Sequence, residues 1–189
     1  EIKRQPAHIL LGLFIVVLVY HDILSTLMLV LAIVTALGFS FLVKKVRPKK
    51  VSRLLQFLER EDDLEKFPVK GLIAYLIGTL LVFLLFEKDI VMASVMMLAL
   101  GDSFSRLIGP FGRIAHPFNN TKFLEGLVAG AIAASLGAML FVSPLKAIVA
   151  SVIAMILEGL DLKIHKLNIN DNISIPLVAG TVIWLIGLL

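Results

Sequence analysis

The sequence contains no cysteine, which excludes a disulfide framework and any thiolate metal site and leaves the redox compartment without a marker. It also lacks a small-residue cleavage site after its first apolar stretch. Lys3 and Arg4 precede that stretch as in a secretory signal, but His21 and Asp22 arrive before any cleavage pattern. The first segment is therefore expected to remain as a helix, and Glu rather than Met at position 1 leaves open what precedes it. Internal duplication is missing too, in hydropathy and motifs alike, which disfavours a transporter built from repeats. Charged residues make up only 17% of the chain. Disorder and a nucleic-acid-binding arm are excluded on that composition.

What the chain has instead is apolar surface. At 189 residues, 59% of them hydrophobic, and a mean hydropathy of +0.98, a water-soluble fold of this size cannot hide it, so lipid must be the solvent for most of it. Apolar segments fall at about 7–20, 23–43, 68–86, 90–104, 122–142, 145–160 and 173–189, near the roughly 20 residues that cross a 30 Å hydrocarbon core. The spacing predicts an all-α, polytopic transmembrane bundle of about seven spans, forming a single domain over residues 1–189. With the N-terminus placed in the cytosol, Lys3, Arg4, Lys44, Lys45, Arg47, Lys49, Lys50, Arg53, Arg60, Lys66, Lys70, Arg106, Arg113, Lys122, Lys163 and Lys166 all fall on cytosolic connections, and only Lys88 and Lys146 fall outside. So strong a positive-inside bias would be scrambled by adding or dropping one internal span. The pI of about 9.4 is then largely an orientation signal.

The external connections are short, such as His21-Asp22, Glu87-Lys88-Asp89 and Ser143-Pro144, whereas the internal ones carry the polar and glycine-rich sequence. Function is expected on the cytosolic face. The connection at about 44–67 is basic and then amphipathic, from Arg53 to Arg60; it suits an interfacial anchoring helix, with a lipid headgroup site as the alternative.

The richest stretch runs Gly101-Asp102-Ser103-Phe104-Ser105-Arg106, continues through Gly109, Gly112 and Arg113, and resumes at Asn119-Asn120-Thr121-Lys122-Phe123-Leu124-Glu125-Gly126. An Asp at membrane depth costs roughly 2.5 to 3.5 kcal/mol on insertion scales. Asp102 and Glu125 therefore need a partner, whether a metal ion, Arg106 or Lys122. Glycines at 101, 109, 112 and 126 let backbone approach a ligand, and Arg113 and Lys122 can hold phosphate oxygens. The plainer alternative pairs Asp102 with Arg106 one turn on, with the glycines serving turns and helix packing. Glu158 closes an apolar helix and should face a polar site or a basic partner, whereas Asp161 and Lys163 should be solvated. Asp171-Asn172 suits a cap for the last helix, a site, or both. His8 is either an interfacial residue or a contact behind the site. Gly126, Gly130, Ala134 and Ala138, four residues apart, indicate close packing of the fifth helix against a neighbour.

Taken together, Glu1, Arg4, His8 and Gly12, Gly101-Asp102, Gly109, Phe111-Gly112-Arg113, Lys122-Phe123-Leu124-Glu125-Gly126, Glu158, Asp171-Asn172 and Pro176 resemble the membrane CTP-transferase superfamily, which includes dolichol kinase, phytol kinase, CTP-dependent diacylglycerol kinase and phosphatidate cytidylyltransferase. Phe123 stands where the kinases carry Thr. The Leu-Pro-Gly-His-Gly-Gly signature of the cytidylyltransferases is absent, and the stretch from Glu158 to Pro176 looks like the kinase branch. The resemblance implies a CTP-dependent lipid kinase that phosphorylates a polyprenol-, dolichol- or phytol-like alcohol, or else diacylglycerol, with a lipid cytidylyltransferase and an ion-coupled transporter or non-enzymatic membrane protein as alternatives. Mg²⁺ is expected on Asp102 with Glu125 or Asp171. Arg113 and Lys122, with Gly101, Gly109, Gly112, Asn172 and Arg106 around them, would receive the nucleotide, and Asp171 or Glu158 would take the hydroxyl proton. The partners implied are a membrane lipid and a nucleotide, with no nucleic acid; a homo-oligomer is left open.

Overall fold

The structure, a computed structural model, describes residues 2–46, 67–117, 119–160, 163–164, 167–168 and 170–188. Glu1, most of the basic connection (47–66) and Asp161 lie outside the described residues.

The chain is predominantly helical. After a 3₁₀ turn at Ile2–Arg4, α1 runs Gln5–Tyr20 and α2 Thr26–Val46. α3 spans Lys70–Leu85, and α4 is one rod from Lys88 to Phe111. A short hairpin pairs β1, Ala115–His116, with β2, Asn119–Phe123. Then follow α5 at Leu124–Ala138 and α6 at Pro144–Gly159. A second hairpin, β3 at Lys163–Ile164 and β4 at Leu167–Asn168, leads to α7 at Asp171–Gly187.

Three segments, Ile2–Tyr20, Thr26–Val46 and Lys88–Phe111, are long and apolar enough to cross a membrane. The other four helices have 15 to 17 residues, which at 1.5 Å per residue is roughly 22 to 26 Å of rod. They stop short for local reasons. α5 begins at Leu124 rather than 122 because Lys122 and Phe123 are drawn into the hairpin, and it ends at Ala138 in a turn that precedes Pro144. α4 extends past the expected 104 because Ser103–Ile108 continues as helix into a 3₁₀ turn at Gly109–Phe111.

Helix faces are sorted by size more than by polarity. On α5 the inward residues are Gly126, Gly130, Ala134 and Ala138, while Val128, Ile132 and Leu136 point outward. On α6 Ala147, Ala150 and Ala154 are buried and Ile148, Val152 and Ile156 are exposed. Small residues inside and bulky apolar residues outside is how helices pack when lipid removes any hydrophobic drive between them. The glycine stripe meets α4: a Cβ on Gly126 would lie 2.7 Å from the Ser105 carbonyl oxygen, and one on Gly130 2.7 Å from that of Gly101. Inside, the Ser135 and Ser151 hydroxyls bond each other between α5 and α6.

α4 is the axis of the bundle, packed by α1, α3, α5 and α7, while α2 leans on α3 at the edge. Its orientation is pinned at both ends. Lys88 at its start donates to the Tyr20 carbonyl (2.8 Å) and to Asp22 Oδ1 (2.7 Å) at the end of α1, and its later turns meet the beginning of α1. The beginnings of α1, α3, α5 and α7 and the ends of α4 and α6 therefore gather at one pole, with Lys88, Asp22 and Lys146 at the other.

Candidate functional site

The polar pole is built around an irregularity in α4. From Met97 to Asp102 the rod opens into a π-helical turn, a costly form found mostly as single turns at functional sites. Asp102 closes that turn and is 2% exposed. Arg106, one turn on, donates from Nε to Asp102 Oδ1 at 2.8 Å and from Nη2 to Asp171 Oδ2 at 3.2 Å. The pairing within α4 thus exists, and the same guanidinium reaches across to α7. A buried carboxylate held by a forked donor offsets part of the desolvation that a lone charge would suffer.

Asp171 is available because the cap of α7 sits one residue earlier than the Asp171-Asn172 pair suggested. The Asn170 side chain accepts from the Asn172 amide at 3.0 Å. Asn172 turns its own Nδ2 to the Gly71 carbonyl at 3.0 Å, tying the starts of α3 and α7 together. Asn172 is therefore bound to backbone.

Glu158, 3% exposed, enters from the end of α6. Its Oε1 accepts from Lys122 Nζ at 2.7 Å, and Lys122 also bonds the Glu158 carbonyl. Its Oε2 is buried with no hydrogen-bond partner among the described residues. Lys122 is delivered by the first hairpin, which is fastened to α6 where Asn119 Nδ2 donates to the Gly159 carbonyl at 3.3 Å. Asp102, Glu158 and Asp171 each present a carboxylate oxygen such that the three atoms lie within 4.8 Å of one another, a grouping that could hold a metal ion. Hard oxygen donors of this kind suit Mg²⁺, and Glu158 Oε2, without a partner among the described residues, is an oxygen such an ion could use.

Glu125 lies elsewhere. Its Oε1 accepts from the backbone amides of Arg113 (2.8 Å) and Ile114 (3.1 Å), which holds the loop after α4 in shape. Among the described residues the metal-competent grouping contains Glu158 where Glu125 was expected. Replacing Glu125 with Ala should make the 112–114 loop more sensitive to protease in the folded protein while leaving divalent-cation binding unchanged, which limited proteolysis and a Mn²⁺ titration would show. The Arg113 side chain is exposed on that loop, outside the carboxylate cluster.

The glycines are used for packing. A Cβ on Gly101 would meet Met155 Cε at 3.0 Å and Ala134 Cβ at 3.2 Å; Gly109 faces the Gly126 Cα; one on Gly112 would lie 2.5 Å from Phe123 Cβ and 2.7 Å from Glu125 Oε2. Phe123, standing where a hydroxyl residue was expected, is thus part of the loop's seat.

His8 belongs behind the site. Its Nε2 lies 3.7 Å from Asp102 Oδ2, and its ring meets Tyr75 edge-on at 4.8 Å between centroids. Tyr75, missed in the sequence, is fully buried between α1 and α4, where a Cβ on Gly12 would lie 2.4 Å from its hydroxyl oxygen. A single tyrosine inside an apolar span was the available signal. Neither a protein-family model, nor a curated protein, nor a solved structure matches this chain.

Proposed function

We propose that this chain is a membrane-embedded phosphotransferase that moves the terminal phosphoryl group of CTP to the hydroxyl of a membrane lipid alcohol. The observation that supports it most is the convergence of three carboxylates and two cations at one pole of an otherwise apolar bundle. The donor is water-soluble and the acceptor hangs in lipid, so a joint site has to lie where polar residues meet the end of an apolar bundle. CTP and the isoprenoid class of acceptor rest on the family resemblance, and the bundle is read as about seven spans with the polar pole in the cytosol.

Asp102, Asp171 and Glu158 would hold Mg²⁺. Bound there, the ion would supply neutralisation of charge on the transferring phosphoryl group. Lys122 and Arg106 take phosphate oxygens as charge builds on them, and Arg113 on the exposed loop meets the outer phosphates. Asp171, the more exposed of the two candidate bases, takes the acceptor's proton, and Glu158 is the alternative. Incubating purified protein in lipid with Mg²⁺ and CTP tests this through the soluble product. CDP released only when a lipid alcohol is added is expected. Pyrophosphate released with phosphatidate would identify a cytidylyltransferase, and neither product would leave an ion pathway or a structural role.

The absence of native cysteine makes topology directly testable, since any introduced thiol is unique. With Lys3→Cys, an impermeant maleimide should label only after the membrane is opened, and with Lys88→Cys it should label intact cells. The reverse pattern would turn the site away from cytosolic nucleotide.

A further inference from the structure

Arg106 and Lys122 stand in the way of the pole's own ligands. Arg106 bonds two of the three carboxylates and Lys122 the third. Two of the acids lie deep, with the Asp102 and Glu158 side chains 3% and 2% exposed, whereas the Arg106, Lys122 and Asp171 side chains are 25%, 21% and 22% exposed. The cations therefore sit between Asp102 and Glu158 and the outside. One carboxylate oxygen, Glu158 Oε2, is buried with no hydrogen-bond partner among the described residues. In that state both cations are already engaged by carboxylates when a polyphosphate arrives. A dication on the carboxylates would add two positive charges and free the two long side chains to turn toward the exterior.

We infer that Arg106 and Lys122 are resident counter-cations which compete with the divalent ion for Asp102, Asp171 and Glu158, so that the site takes up metal and polyphosphate as a coupled pair and rejects the metal-free anion. This rests on the phosphotransferase reading for its ligand class, but the competition itself is a property of the five side chains. It carries a counterintuitive sign. A lysine that merely shaped the metal site would weaken metal binding when removed, whereas a competitor would strengthen it.

The test uses the full chain in detergent with Mn²⁺ alone, followed by the loss of the free-ion paramagnetic signal, without nucleotide or lipid. Lys122→Gln is expected to bind Mn²⁺ about tenfold more tightly than wild type, equivalent to about 1.4 kcal/mol, and Lys122→Arg to match wild type. Arg106→Gln should shift in the same direction and serves if Lys122→Gln does not fold. In equilibrium dialysis, labelled pyrophosphate should be retained by wild type with Mn²⁺ and not without it. Mn²⁺ affinity unchanged or weakened in both Gln variants, no saturable Mn²⁺ binding, or pyrophosphate retained without metal would each overturn the inference. Because no transfer reaction is measured, a missing kinase activity would leave this result standing, and an intact kinase with the wrong Mn²⁺ pattern would remove only the inference.

Discussion

Asp102→Asn is expected to reduce phosphoryl transfer by roughly 10³-fold while leaving the protein folded, on the scale that loss of one preorganised electrostatic contact costs. The amide keeps the shape of the carboxylate at the end of the π-helical turn and can still accept from Arg106 Nε, now 2.8 Å from Oδ1. What disappears is the negative charge. Arg106 keeps Asp171 as its ionic partner, and His8 loses the acid 3.7 Å away. Replacing one member of a buried ion pair normally endangers the fold because the other charge is left alone; here the guanidinium retains a second carboxylate and partial exposure. Transfer activity from a lipid extract, set beside detergent elution profile and helix content, separates the two effects. Wild-type activity in Asp102→Asn would remove Asp102 from the chemistry.

Gly78→Ala should be the most damaging of small substitutions, lowering stability by about 3 kcal/mol, at the upper end for overpacking a core. A Cβ there would lie 2.2 Å from the Asn172 carbonyl oxygen and 3.2 Å from the Ile173 Cα. Both obstacles are backbone, so no rotamer relieves them; α3 and α7 must separate. That movement strains the Asn172 to Gly71 bond of 3.0 Å and carries Asp171 away from Arg106. Activity should therefore fall with stability. Gly38→Ala on the outer helix α2 is the control, because no described residue lies within 4 Å of its added methyl group and helix propensity favours Ala by about 1 kcal/mol. Thermal inactivation in detergent should rank Gly38→Ala at or above wild type and Gly78→Ala far below.

The difference between these two glycines shows what a sequence can and cannot carry. Helix order and the small-residue stripe of α5 were legible because each is a periodic pattern along one segment, whereas the neighbour that the stripe meets, α4, was not. Asp102 with Arg106, four residues apart on one helix, was legible for the same reason. The partnership of Asp102 with Glu158 and Asp171 was not, since it depends on how α4, α6 and α7 meet. Glu125 and Glu158 look alike in sequence, each at the end of an apolar helix near a basic residue. Their roles part because the loop after Gly112 turns its backbone amides onto Glu125, while the hairpin delivers Lys122 to Glu158. The π-helical turn that presents Asp102 has no local signature in residues 97–100, which suit an ordinary helix. Similarly, Asn170 rather than Asp171 caps α7, a choice of one residue that backbone geometry alone makes.

The measurement that bears most directly on the phosphotransferase reading is the fate of the two ends of CTP. Protein in lipid with Mg²⁺ and a panel of isoprenoid alcohols and diacylglycerol would be given CTP labelled at the γ position in one arm and at the α position in the other. The γ label is expected in the lipid phase with one class of acceptor, absent with Asp102→Asn, and the α label should stay in water. An α label in the lipid phase, or no label in lipid from either position with any acceptor, would contradict a lipid-alcohol kinase.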